Sequence, residues 1–119
     1  MPRPRAHHQR LKGDPTEITL QYFDGCPNWK ITDTYLTTLI SDRGLDTTLG
    51  YQLIDTSEVA IEHQFRGSPT VLIDGVDPFA DSNAPIGFAC RIYQTEQGPA
   101  GSPTPEQLEQ AVASAAERA

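Results

Sequence analysis

Ile18, Leu20 and Tyr22 alternate with Glu17, Thr19 and Gln21, the two-residue period of a strand with one buried face, and Asp24-Gly25 ends it in a turn. Over residues 27–43 the period changes. Trp29, Tyr35, Leu36, Leu39 and Ile40 recur at three-to-four spacing, which predicts a helix with one apolar face, and Gly44 stands where a C-terminal cap belongs. Pro27 suits the first helical position, where its missing N–H would have no partner anyway. Thr32, Thr34, Thr37 and Thr38 are mediocre helix formers, so packing must hold this helix. Residues 47–54 alternate again, with Leu49, Tyr51 and Leu53 on one side. A strand, a helix and a strand make a right-handed crossover, so the two strands are expected to be parallel neighbours.

The second half is less regular. Thr56 or Ser57 can cap a short helix carrying Val59, Ala60, Ile61 and Phe65, which ends before Gly67. Ser68-Pro69 then opens the apolar run Thr70-Val71-Leu72-Ile73, a buried strand closed by Asp74-Gly75. Residues 75–89 hold two prolines and two glycines without periodicity, and a loop of that length in a compact domain is more often functional than idle. A fourth strand is expected over residues 90–95, with Ile92 facing the core, and a turn-rich connector over residues 97–103. Thr104-Pro105-Glu106-Gln107 reads as a capped start to a last helix bearing Leu108, Val112 and Ala115.

Composition narrows the function classes. The 119 residues suit one domain, read as residues 16–119 behind a disordered leader at 1–15. Nine basic against sixteen acidic residues give a net charge of −7, and Arg3, Arg5, Arg10 and Lys12 all lie in the leader. The acidic remainder argues against nucleic acid and anionic membranes as partners. No apolar run is long enough to span a bilayer and no secretory signal is visible, so the chain reads as cytoplasmic. In a reducing cytosol two cysteines 64 positions apart are reactive or incidental rather than a structural staple. They are too few and dispersed for a zinc site, His63 reads as solvated, and no metal or cofactor is expected.

Cys26 falls where the first strand turns into the first helix. Free N–H groups and the positive dipole end there favour thiolate, which lowers a cysteine pKa from its model value of about 8.5. The competing reading is a small residue that fills a turn.

Strand, helix, strand, helix, strand, strand, helix, with a cysteine after the first strand and Ser68-Pro69 before the third, resembles the thioredoxin-like fold. The resemblance covers roughly residues 18–116 and implies an α/β domain with a central four-stranded mixed sheet and helices on both faces. Gly67-Ser68-Pro69-Thr70-Val71 matches the place where that fold keeps a cis-proline loop facing the active cysteine. A cis bond before proline costs only about 0.5–1 kcal/mol. Together with Phe23-Asp24-Gly25-Cys26-Pro27-Asn28-Trp29 and Cys90-Arg91-Ile92-Tyr93, the motifs are similar to the small DF family (seleno)proteins, some of which carry selenocysteine at the position of Cys26. That kinship implies a reactive chalcogen at Cys26.

One departure matters. Thioredoxins carry a second cysteine three positions after the first, and here Trp29 stands there. Cys26 is left to act as a single thiol resolved by glutathione, to pair with Cys90, or to be silent. A tight hairpin after Gly75 would start the fourth strand at the wrong end of the sheet for pairing. The fifteen residues 75–89, however, can span up to about 50 Å and return the chain to Cys26. A disulfide needs Cα atoms about 4.4–6.8 Å apart. The loop permits the bridge without requiring it, and Cys90 also reads as a core residue of an edge strand.

The leading expectation is a thiol oxidoreductase acting on a disulfide or thiol substrate. Cys26 is the nucleophile, Cys90 or a small thiol such as glutathione resolves, and Pro69 with Ser68 and Thr70 aligns the substrate beside Pro27 and Trp29. Trp29 and Phe23 could wall a substrate but read rather as core. Arg66 and Arg91 read as surface ion pairs or as contacts for an anionic substrate. The alternatives are a soft-metal dithiolate protein binding mercury or copper(I) through Cys26 and Cys90, and a redox-silent interaction module. The substrate, electron donor and oligomeric state stay open.

Overall fold

The computed structural model describes residues 16–81, 84–87 and 89–118; the expected leader lies outside them. The element order is β1 (Thr16–Tyr22), α1 (Asn28–Arg43), β2 (Thr47–Leu53), α2 (Ser57–Glu62), β3 (Thr70–Ile73), β4 (Tyr93–Thr95), β5 (Gly98–Ala100) and α3 (Pro105–Arg118). β1 is central. It pairs in parallel with β2, from Thr16 opposite Thr47 to Tyr22 opposite Leu53, and antiparallel with β3, from Ile18 opposite Ile73 to Gln21 opposite Thr70.

The alternation in β1 sends Ile18 and Leu20 into one core with Val71 and Ile73 of β3, Leu36 of α1, and Leu108, Ala111, Val112 and Ala115 of α3. A second cluster, Ile54, Ala60 and Phe65 with Phe23 and Val59, lies under α2. The Gln21–Gln52 bond of 2.7 Å and the Gln52–His63 contact of 3.4 Å place the end of α2 on the sheet face opposite Leu20. His63 is exposed, as expected.

The helix ends follow their caps. Gly44 ends α1 at φ 59° in the left-handed region, its N–H donating to the Ile40 and Ser41 carbonyls. Thr56 caps α2 by accepting from the Val59 N–H. Thr104 and Gln107 bond reciprocally at the start of α3. α1 starts one position later than the sequence suggests, with Pro27 as its N-terminal cap residue and already helical (φ −72°, ψ −16°).

The expected four-stranded sheet is not formed. The structure has a three-stranded mixed sheet and a separate β4–β5 hairpin, in which Tyr93 opposes Ala100 and Thr95 opposes Gly98. The strand expected over residues 90–95 is split: Cys90 makes one isolated parallel bridge to Ser68, and regular pairing resumes only at Tyr93. The Ser68 N–H and carbonyl are both used in that one bridge, bonded to the Ala89 carbonyl and the Arg91 N–H, and Tyr93 instead reaches the Pro69 carbonyl through its hydroxyl. Ile92 points outward, 63% exposed, and Tyr93 takes the core position instead. The connector expected over residues 97–103 contains β5.

Candidate active site

Cys26 sits in the turn between β1 and α1, its N–H bonded to the Phe23 carbonyl at 3.2 Å. Asp24, Gly25 and Pro27 around it are exposed, but Cys26 itself is 0% exposed, so a nucleophile open to solvent is not found there. Its Sγ lies 3.4 Å from the Ser68 carbonyl oxygen and 2.7 Å from Cys90 Sγ, and Cys90 is solvent-exposed. The latter separation is within 1 Å of an S–S bond length of about 2.05 Å.

The loop over residues 75–89 produces this meeting. Asp74 (φ 52°) and Gly75 (φ 81°) turn the chain at the end of β3, and the Ile73 and Val76 backbones exchange bonds of 2.8 and 3.1 Å. The chain then comes back along the Phe65–Ser68 segment. The Gly87 N–H donates to the Phe65 carbonyl at 2.9 Å, the Ser68 N–H to Ala89 at 2.8 Å, and the Arg91 N–H to Ser68 at 2.9 Å. Arg66 donates to the Ala84 carbonyl, fastening the loop rather than offering a free cation. The fourth segment therefore begins at the cysteine end of the sheet, the route that the loop's length permits.

Ser68-Pro69 is cis, and it lies directly beneath this segment. Ser68 also accepts the Phe23 N–H on its Oγ at 3.3 Å, and the Tyr93 hydroxyl donates to the Pro69 carbonyl at 2.5 Å. Thr70 donates to the Gly67 carbonyl at 2.6 Å. Ser68, Pro69 and Thr70 are all buried, so of the residues expected to touch substrate only Pro27 is exposed. Trp29 faces elsewhere. Its ring lies 4.4 Å from that of Tyr22 and packs against the main core, with Nε1 buried and unbonded among the described residues. The position that would hold a second local cysteine is thus filled by a core aromatic.

Arg91 corrects the expectation of a surface cation. It is 6% exposed and donates to Asp77 Oδ2 at 2.7 Å, to Thr70 Oγ1 at 3.3 Å and to the Phe79 carbonyl, with its guanidinium 4.7 Å from the centre of the Tyr93 ring. This clamp ties the residue after Cys90 to the strand-end loop. Gly67, read from the sequence only as a helix stop and a motif residue, also shapes the site. At φ 118° a side chain is strained there, and a Cβ would lie 2.9 Å from Arg91 Cβ and 3.1 Å from the Ala89 carbonyl oxygen. Gly67→Ala is expected to cost about 2 kcal/mol in urea unfolding and to slow pairing of the two thiols, by pushing residues 89–91 outward. A loss below about 0.5 kcal/mol would show that the close approach is not required. The signals were present: a glycine before Ser-Pro, and an arginine beside the second cysteine.

The Cys90 thiol is pushed above the ordinary cysteine range, first by donating its proton to Cys26 Sγ, then by partial burial and by the neighbouring sulfur's charge. The sign is that of a raised group. The S–H···S contribution to stability is present below the unfolded pKa of about 8.5 and is lost as pH rises through the higher folded value. Alkylation of Cys90 should therefore inflect above about 8.5, and Cys26→Ser should move the inflection down. An unchanged inflection in that variant would remove the Cys26 sulfur as the cause.

Among the described residues no group of three or more histidine, cysteine, aspartate or glutamate side chains is arranged to hold a metal ion, and no helix is long and apolar enough to cross a membrane. No protein-family model and no curated protein matches the chain. Among solved structures it is similar to oxidized mitochondrial thioredoxin 3 from Saccharomyces cerevisiae, at 20% identity over 87% of this chain and 81% of that one, with a TM-score of 0.50. The β-α-β core, the returning β3 and the helix layers, together with that likeness, give this chain a thioredoxin-like α/β fold.

Proposed function

We propose that this chain is a thiol–disulfide redox protein whose working unit is the pair Cys26–Cys90, set across the cis-proline loop instead of within one local motif. The separation of 2.7 Å between the sulfurs carries the reading. One S–S bond between them releases two electrons to a substrate disulfide, which leaves as two thiols. Glutathione is then a candidate substrate or reductant and is not needed as a resolving partner. The similarity of the Cys26, Pro69 and Cys90 motifs to the DF family (seleno)proteins supports the same chemistry, since a reactive chalcogen is what that kinship implies.

The soft-metal alternative fits less well. Two thiolates that hold a soft ion between them stand much farther apart than the 2.7 Å found here, so the pair would have to open to admit one. A redox-silent module would not need the loop's return to bring a second sulfur onto the first. Equilibration in dithiothreitol redox buffers tests the proposal. A single two-electron transition, with about 30 mV per tenfold change in buffer ratio, is expected. Thiols that stay titratable across the whole range would overturn it.

A further inference from the structure

The two sulfurs differ in what an incoming molecule can reach. Cys26 is wholly enclosed, its Sγ between the Ser68 carbonyl and Cys90 Sγ, while Cys90 is exposed. Exchange requires direct contact between the attacking sulfur and the disulfide, so access decides which thiol acts first.

The backbone beside the cis-proline restricts the substrate as well. An extended polypeptide adding itself to this edge needs a free N–H and C=O with which to pair. On Ser68 both are occupied, the N–H by the Ala89 carbonyl at 2.8 Å and the carbonyl by the Arg91 N–H at 2.9 Å. Residues 89–91 lie where a docking strand would lie, with Cys90 in the place of that strand's cysteine. The Arg91 contacts to Asp77, Thr70 and Phe79 hold them down.

We propose that Cys90 is the thiol that meets the substrate, that Cys26 is the resolving thiol, and that the substrates are low-molecular-weight disulfides rather than disulfides presented in an extended polypeptide. This order reverses the roles expected from the sequence, and it rests on the pair being redox-active. Cys90 loses its proton to solvent and, as thiolate, attacks one sulfur of the small disulfide. A bond forms between Cys90 and that sulfur, and the other half leaves as a thiolate. The leaving half takes up the proton that Cys90 released; Cys26 then loses its own proton, its sulfur attacks Cys90 Sγ, and the expelled second half takes up that proton. The pair has lost two electrons to the substrate, one S–S bond has replaced another, and two small thiols are released. Cys26 needs no opening to solvent in this sequence, because its only target is the sulfur already against it.

The test uses the reduced full chain with limiting iodoacetamide, followed by peptide mapping, and then separate reactions with hydroxyethyl disulfide, glutathione disulfide and insulin. Cys90 should take at least about tenfold more label than Cys26, and both small disulfides should oxidise the pair at least about tenfold faster than insulin does. Cys26→Ser, checked for folding by circular dichroism, should hold a persistent mixed disulfide on Cys90. First labelling at Cys26, or insulin reacting as fast as the small disulfides, overturns the assignment while the redox pair stands. If no reagent removes two hydrogens from the wild-type chain, the pair itself is wrong and this assignment falls with it.

Discussion

The oxidised protein is expected to melt about 15–30 °C above its reduced form. Joining residues 64 apart removes loop-closure freedom from the unfolded chain, which the chain-entropy model values at about 4 kcal/mol. In a domain of this size each kcal/mol moves the melting temperature by about 4–8 °C. The folded state has little to rearrange, because the Ser68–Cys90 bridge and the two backbone bonds around it already bring the sulfurs together in the free thiol form. Cys26→Ser and Cys90→Ser should each abolish the difference between oxidising and reducing buffer. A gap below about 3 °C in the wild-type chain would mean that no bond forms or that forming it strains the fold.

Arg91→Ala should lower the unfolding free energy of the reduced protein by about 3 kcal/mol. The variant leaves Asp77, only 18% exposed, without its cation, and it removes the donors to Phe79 and Thr70. Such losses are large because Thr70 stays buried and Asp77 stays mostly out of solvent. Arg91→Lys should recover less than half, since an ammonium cannot reach the carboxylate, the hydroxyl and the carbonyl with one planar fork. Urea unfolding checks both variants. A cost below 1 kcal/mol for Arg91→Ala would show that the pair is loosely held and that the loop is anchored by the backbone bonds alone.

Much of the scaffold was legible because periodicity and capping are local. Ile18 and Leu20 in β1, the Gly44 stop, the Thr56 cap and the Thr104–Gln107 box all stand where their patterns put them. The fourth strand was misread because its fate depends on a distant residue. Cys90, Arg91 and Ile92 look like strand residues, but the segment they belong to makes a single bridge, to the distant Ser68, with no ladder beyond it. The 63% exposure of Ile92 and the burial of Arg91 follow from that placement, which alternation within residues 90–95 does not contain.

The candidate site was half legible. Cys26 and the cis Ser68-Pro69 bond stand where the motifs put them, and the loop over residues 75–89 is long enough for the return it makes. What local sequence did not carry was access. A turn at a strand–helix junction suggests an open thiol, yet the returning segment covers Cys26 and leaves Cys90 outside. Trp29 shows the same principle: its position three residues after Cys26 belongs to a redox motif, but its ring belongs to the core.

Cys26 and Cys90 are proposed to form one reversible S–S bond. Intact mass of the full chain after mild oxidation, measured without reductant and followed by non-reducing peptide mapping, tests it most directly. The expected result is a loss of two hydrogens within a monomer, a single linked peptide pair containing Cys26 and Cys90, and full recovery of both thiols with dithiothreitol. Two thiols that remain alkylatable after oxidation, or a bond formed only between separate chains, would contradict it.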